Sequence, residues 1–524
     1  MVACSPPQVR QGQIQVSVIA DGKPLPVDLP AGSTVQDALD QAGLPLGTLD
    51  RSDPPLYTLL RDGSAVTITR IREEFEVEQV VIPFERQVLR NESLPEGETR
   101  LSQPGANGLQ EITYRRVFED DVLVTESMVR SVIVEEPVAE IVMVGSRAPF
   151  AAVTIPGRLA YLSAGNAWIM EGSTGNRRPL VSSGDLDGRV FSLSPDGEWL
   201  LFSRKNQEKD SINTLWVARV EEGADQIIDL EISNVIHFAR FNPDSNRIAY
   251  STVESRTTPP GWQANNELSL VALSPSGFVA KPVAILDANA GGVYGWWGMD
   301  FAWASDGVRL AYTRPDSIGI YDTRLDILQP LVNISPLQTG GDWAWVPGVS
   351  WSPDENSLFT VQHIVTEGST ESEGASRFDL LAIPLSGGTP VSLVKDVGMF
   401  AYPIPSPLTS RLRSEAGEAG EVPVLEVVYR VAYLQAMFPA QSDSSRYRLF
   451  VIDRDGSNKV ALFPSEGATG LEPQRIVWSP TPLEDNGHYA SALLVQGNIW
   501  FVDAVNSQAQ QITGDGLTVR IDWR

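Results

Sequence analysis

From about Thr154 onward the chain is governed by a repeat, and a repeat of this kind leaves few folds open. Its unit is an apolar strand ending in an aromatic, a turn of the Ser-Pro-Asp-Gly type, and a second apolar strand. It reads FSLSPDGEWLLFS at 191–203, FARFNPDSNRIAYS at 238–251, FAWASDGVRLAYT at 301–313, VSWSPDENSLFTV at 349–361 and IVWSPTP at 476–482. A degenerate copy, FAYPIPSP, lies at 400–407. Turn residues at 194, 242, 304, 352, 406 and 479 are spaced 48, 62, 48, 54 and 73 apart. Those are propeller-blade units of roughly 40–50 residues, some with insertions. A third strand follows the turn, as in NTLWVARV (213–220), NELSLVAL (266–273), FDLLAIPL (378–385), YRLFVIDRD (447–455) and NIWFVDA (498–504). RLAYLS (158–163) and NAWIME (166–171) read as second and third strands with no first strand before them. The last residues, VRIDWR (519–524), match RIVWSP (475–480), Trp523 standing where Trp478 does. The expectation is a β-propeller of about seven blades over 154–524, closed by the C-terminal strand, which removes exposed sheet edges.

The repeat resembles the TolB-like, WD-repeat-related propellers of bacterial envelope proteins. That resemblance implies a platform more than any one chemistry. Ahead of it, residues 14–19 alternate as a strand does, and Asp21-Gly22 is a hairpin signal leading to a second strand at 25–29. Ser33 or Thr34 can cap a helix whose apolar positions, Val35, Ala38, Leu39 and Ala42, share one face, and Gly43 stops it. Strands at 57–61 and 65–70 flank Asp62-Gly63. Strand, strand, helix and strands make a small α+β, β-grasp-like module over 14–72. It resembles the domain before the catalytic part of resuscitation-promoting factors in Val16, Val18, Asp21, Gly22, the 34–43 helix, Asp50, Pro54 and the closing Ile-Thr-Arg. Any ubiquitin-like fold offers the same helix.

Over 73–147 the pattern turns to long alternating strands with almost no helix signal. This stretch resembles the G-five (five-glycine) domain of bacterial surface proteins. Gly97, Gly105, Gly108 and Gly145 stand where four of its glycines are expected, Pro83 and Tyr114 also fit, and Asp120-Asp121 occupies the hairpin turn in place of the fifth. The resemblance implies cell-wall attachment and adhesion, with N-acetylglucosamine binding or a stiff spacer as the module's part in it.

Composition narrows the partners. With 66 acidic against 40 basic residues the net charge is −26, a field that repels phosphate backbones, so nucleic acid is not expected. No apolar run reaches the roughly 18–20 residues that span a bilayer. The single cysteine, Cys4, permits no intrachain disulfide and no cysteine-based metal site. Met1-Val2-Ala3-Cys4-Ser5 resembles the cleavage end of a bacterial lipoprotein signal, whose basic and apolar regions would have to lie upstream. Cys4 is therefore expected to carry a lipid, with 1–13 as lipobox-like start and tether, and the membrane is reached only through that lipid.

Nothing in the sequence marks an enzyme. His237, His363 and His488 are far apart, and no zinc, nucleophile-elbow or phosphate-loop motif occurs. The acidic turns DRDGSN (453–458) and DLDG (185–188) lack the ligand set of a calcium loop and read as hairpin turns. No metal or cofactor is expected. The lead is aromatic. Loops from second to third strand and loops between blades emerge on one propeller face. Trp262 lies in the first kind, and Tyr294, Trp296, Trp297, Trp343, Trp345, Phe400 and Tyr402 in the second. Flat rings gathered there stack on sugars or hold peptide segments; buried, they would only fill gaps between blades. The reading is a non-enzymatic, extracytoplasmic bacterial surface protein whose propeller presents an aromatic face to a glycan, peptidoglycan or protein ligand. Its charge favours neutral glycans or basic peptides. The alternatives are a propeller enzyme using Asp and Glu of those loops on a polysaccharide, and a structural component of envelope assembly.

Overall fold

The computed structural model describes residues 12–92, 94–146, 150–206, 211–224, 226–289, 292–337, 339, 341–365, 377–413 and 424–524. Cys4 lies outside these residues. The chain is nearly all β and divides into two compact units, one of residues up to 90 with 97–144, the other of 91–96 with 145–524.

In the first unit, β1 (Gln13–Ala20) and β2 (Lys23–Pro30) form a hairpin around Asp21-Gly22, both at positive φ. Helix α1 (Val35–Ala42) is fixed at both ends by its own residues. Thr34 Oγ1 accepts the Asp37 N–H while the Asp37 carboxylate accepts the Thr34 N–H, and Gly43 ends the helix at φ 66°. Val35, Ala38 and Leu39 pack on Val16 and Val18 of β1 and on Val66 and Ile68 of β4 (Ala65–Thr69). The sheet order is β2-β1-β4-β3, with β3 at Arg51–Asp53.

This corrects the expected strand at 57–61. The Asp50 carboxylate accepts from Gly47 N–H, Ile71 N–H and the Arg70 guanidinium, which holds 51–53 beside β4. Pro54 and Pro55 follow β3, and residues 58–60 then bond backbone to backbone with 33–35 at the helix start. Only Arg70 separates β4 from β5 (Ile71–Ile82), so the two front modules share one compact unit.

β5, β8 (Gly108–Glu119) and β9 (Val122–Glu135) make an antiparallel sheet, and β6 (Arg86–Asn91), β7 (Thr99–Gln103) and β10 (Glu140–Gly145) a second one ordered β6-β10-β7. Asp120 and Asp121 turn β8 into β9 at φ 45° and 66°, a geometry Asp tolerates, and the Asp120 carboxylate accepts the N–H of the sequence-distant Arg70 at 2.9 Å. Two glycines have steric reasons. A Cβ on Gly105 would lie 2.4 Å from the Phe84 ring, and one on Gly108 2.5 Å from the Glu135 carbonyl.

The second unit holds, among the described residues, seven successive antiparallel sheets. The first contains Thr154–Ser163, Asn166–Val181 and, on its other edge, the C-terminal strand Thr518–Trp523. Six four-stranded sheets follow over 186–233, 239–286, 300–333, 349–394, 404–463 and 477–511. Extra hairpins, Val253–Ser255 with Trp262–Ala264 and Thr409–Arg413 with Val424–Val428, fall in the two longest repeats and account for their spacings of 62 and 73.

The repeated turn is held by one buried polar side chain. Ser194 Oγ accepts the Trp199 N–H at 3.0 Å and Ser352 Oγ the Ser357 N–H at 3.0 Å, while Asn242 Oδ1 accepts the Arg247 N–H at 2.9 Å. Neighbouring sheets share apolar cores. Ala239 and Phe241 pack with the second sheet, Phe238 with Phe301, and Tyr429 and Tyr433 with the fifth sheet. Phe501 of the seventh sheet stacks on Trp523 of the first at 4.8 Å. Within this unit Glu92 is buried with Arg177, 3.2 Å away, and its oxygens also accept the Gly514 N–H.

Candidate functional site

Alternation decides what the first strand of each sheet presents. Residues one and three places before the turn residue are buried between sheets: Ala239, Phe241, Phe301, Val349, Ile476, Trp478 and Trp523. Two and four places before it stand, among others, Arg240, Asp300, Gly348, Tyr402, Arg475, Arg520 and Asp522, with Arg524 in the turn position itself; Val190 and Phe238 at this register are instead buried in the apolar cores.

Contacts of the charged residues show where these positions face. Arg475 Nη2 of the seventh sheet lies 2.7 Å from Asp300 Oδ2 of the fourth. Sheets three places apart can meet in this way only across a common central space. The Arg475 guanidinium also lies 5.6 Å from the Tyr402 ring centroid, and a Cβ on Gly348 would come within 3.2 Å of that ring. Residues of the fourth to seventh sheets thus converge there. Arg475 keeps 47% of its side-chain surface, so the pair contributes little stability and marks geometry. Burial works against the Arg475 charge, yet Asp300 outweighs it and the guanidinium is held more firmly protonated. For Arg240 burial prevails and lowers the value, eased by Asp522 and Asp300 and reinforced by Arg475 and Arg524.

Beside this space stands an aromatic group. Trp262 and Trp297 lie 5.4 Å apart, Trp296 meets Trp297 edge-on at 5.8 Å, and the His237 ring is 5.9 Å from both Trp262 and Trp297. Gly298, at φ 126°, makes room, since a Cβ there would sit 2.5 Å from His237 Cδ2. The Arg189 guanidinium of the second sheet lies 5.6 Å from the Trp262 ring centroid. Burial lowers the His237 value to about 4, with Arg189 pushing the same way and Asp300 and the Trp297 backbone opposing, so the imidazole is neutral at ordinary pH. His237 Nε2 and Trp262 Nε1 have no protein hydrogen-bond partner.

Of the eight aromatic positions singled out by sequence, the structure brings together Trp262, Trp296 and Trp297 in one group and Phe400 with Tyr402, stacked at 6.0 Å, in another. All five are half-buried. Trp345 is 3% exposed, packs on Phe378 at 5.0 Å and donates its Nε1–H to the Met399 carbonyl, so it offers no surface. Trp343 lies against the same apolar core, and Tyr294, at φ 57°, joins the turn before Trp297 through its carbonyl. Sequence reasoning missed His237 as a site residue, together with Arg240, Asp300 and Arg475. The signal was present: a charged residue two or four places before the turn of an otherwise apolar strand.

Residues 73–147 match the family model of the G5 domain, and residues 16–56 that of a G5-linked-Ubiquitin-like domain. No curated protein matches the chain. Among solved structures, the IgA1 protease G5 domain is 23% identical, over 15% of this chain and 93% of that one, with a TM-score of 0.13. One of two prolyl endopeptidases is 13% identical over 72% of this chain and half of that one, TM-score 0.42. A putative 6-phosphogluconolactonase of Bacteroides fragilis is 10% identical over 70% and 95%, TM-score 0.40. Among the described residues no helix is long and apolar enough to cross a membrane. The front of the chain is thus similar to a ubiquitin-like domain followed by a G5 domain, and G5 domains are adhesion-type modules of extracellular and cell-wall-associated proteins.

Proposed function

We propose that this chain is a non-enzymatic surface binding protein whose seven-sheet unit is a closed propeller that takes a glycan ligand at its centre. The observation that carries this reading is the presence of two groups of half-buried rings, Trp262 with Trp297 around His237 and Phe400 with Tyr402, the second of them beside the Asp300–Arg475 pair at the central space. Such rings offer flat apolar faces to a sugar, while the charged pair supplies directional hydrogen bonds. The G5-domain match at 73–147 supports a place at the cell wall, and the G5-linked-Ubiquitin-like match at 16–56 accompanies it.

The test is capture of glycans and peptidoglycan fragments by the full chain, with and without Trp297→Ala. The substitution is expected to weaken capture at least tenfold and to lower stability by no more than about 2 kcal/mol. Unchanged capture together with a stability loss of about 3–5 kcal/mol would make Trp297 a packing residue and remove the basis of the reading.

A further inference from the structure

The chain has to cross from the seventh sheet back to the first before its last strand can pair there. Residues 512–517 make that crossing, between Ala509–Gln511 of the seventh sheet and the C-terminal strand Thr518–Trp523 of the first. A buried cation sits on it. Arg177, in the strand Asn166–Val181 of the first sheet, donates from Nη2 to the Ile512 carbonyl at 2.6 Å and from Nε to the Thr174 carbonyl at 2.8 Å. Carbonyls orient a guanidinium but leave its charge without a counter-ion. Among the described residues, the carboxylate within 4.0 Å of Arg177 is that of Glu92, at 3.2 Å. The Glu92 oxygens also accept the Gly514 N–H, at 2.8 and 2.7 Å. The pair thus grips the crossing at two points, residues 512 and 514. A Cβ on Gly514 would crowd Glu92 Oε1 at 3.0 Å, so the carboxylate is seated closely on this backbone.

Glu92 is not part of the repeat. It comes from the 91–96 segment, which precedes the repeat in the chain yet belongs to the second unit. Asn91 and Glu92 are only 4% and 6% exposed, and the Arg177 side chain keeps 5% of its surface. Two charges so far from water hold only as a pair. Desolvation offsets much of their attraction, and removal of either one leaves the other buried alone. Their main effect is to fix which segments meet. We infer that residues 91–96 form a strap that holds the seam between the seventh and first sheets, with Glu92 as its fastener. The seven-sheet unit is then not complete within residues 154–524. The C-terminal strand joins the first sheet by backbone pairing, and the strap secures the crossing that delivers that strand. This inference is independent of what the unit binds.

All 13 tryptophans lie between 168 and 523, so tryptophan fluorescence of the full chain follows the second unit alone. Glu92→Gln keeps the shape of the side chain and strips its charge. It should lower the melting temperature of this signal by at least about 4 °C, and Arg177→Met should do the same. The double variant, Glu92→Gln with Arg177→Met, leaves no buried charge and should recover at least half of that loss. Hydrogen exchange in Glu92→Gln should quicken first at 158–163 and 510–523, ahead of the sheets between. A smaller fall in melting temperature, or exchange that quickens first anywhere else, overturns the inference. So does a double variant that recovers less than half, because the two side chains then act separately. Should Glu92→Gln fail to fold, the double variant decides: its folding supports the strap, and its failure to fold overturns it.

Discussion

In the first unit the β5-β8-β9 sheet leaves Phe75, Val77, Val81, Met128 and Ile133 between 49% and 62% exposed, although its strands run to 14 residues. In the second unit the first strands of the third to fifth sheets are only three or four residues long, and their inward-packed side chains are almost fully covered. The contrast separates two sources of sheet stability. A long ribbon accumulates backbone hydrogen bonds and cross-strand pairs, such as Arg116 between Glu76 and Glu126, without burying either face. A short strand has few such bonds and depends on the sheets either side of it.

The largest effect that would break this comparison is loss of the C-terminal strand. Deleting residues 517–524 removes the partner of Thr154–Ser163 and the fully buried Trp523. It should unfold the second unit, at a loss above about 5 kcal/mol, while far-ultraviolet signal from the first unit persists. An unchanged melting transition would mean that the seven sheets are not closed through this strand.

An intermediate effect belongs to His237. Its folded-state value of about 4 lies below its ordinary 6.5, so between those limits the unfolded chain binds a proton that the folded chain refuses. Its contribution is complete above pH 6.5 and falls away as pH drops toward 4, by up to about 3 kcal/mol. Urea titrations of the full chain at pH 7 and 4.5 should show a smaller pH loss for His237→Gln than for the parent; equal losses would mean that His237 titrates normally.

The smallest effect sharpens the contrast. Met128→Ser on exposed β9 should change stability by less than about 0.5 kcal/mol, as read from the first transition in denaturant. A loss above about 1 kcal/mol would show that this face is covered in solution.

The sequence announced the seven-sheet unit because its turn chemistry is local. Ser194, Ser352 and Asn242 each accept a backbone N–H from inside the same turn, so the pattern recurs, although Ala304 lacks the acceptor and the 400–407 copy is degenerate. The β1–β2 hairpin and α1 were legible for the same reason, their caps and turns lying within a few residues. The exchange of the 57–61 strand for Arg51–Asp53 was not, because Asp50 selects it through Arg70 and Ile71, some twenty residues on. The site divides in the same way. Trp262 and Trp297 stood out as residues, whereas Arg240, Asp300 and Arg475 acquire meaning only when each strand is counted back from its turn and the sheets are set around one centre. Trp345 looked like Trp297 in sequence, and nothing local says that Phe378 and Met399 enclose it.

The tryptophan that ends several first strands also ties neighbouring sheets together. Trp351 Nε1 donates to the Ala302 carbonyl of the fourth sheet at 2.8 Å, and Trp478 Nε1 to the Ile404 carbonyl of the sixth at 3.1 Å, the same register in both. Trp303 occupies that place in the fourth sheet, but its buried Nε1 has no protein partner on the third. An orphaned donor costs about 1–3 kcal/mol, so this joint is weaker than its equivalents. Native-state hydrogen exchange should therefore not be uniform around the molecule. Amides along the seam between the third and fourth sheets would exchange through local opening before those beside Trp351 or Trp478, and that seam is the one that carries His237, Trp262 and Trp297.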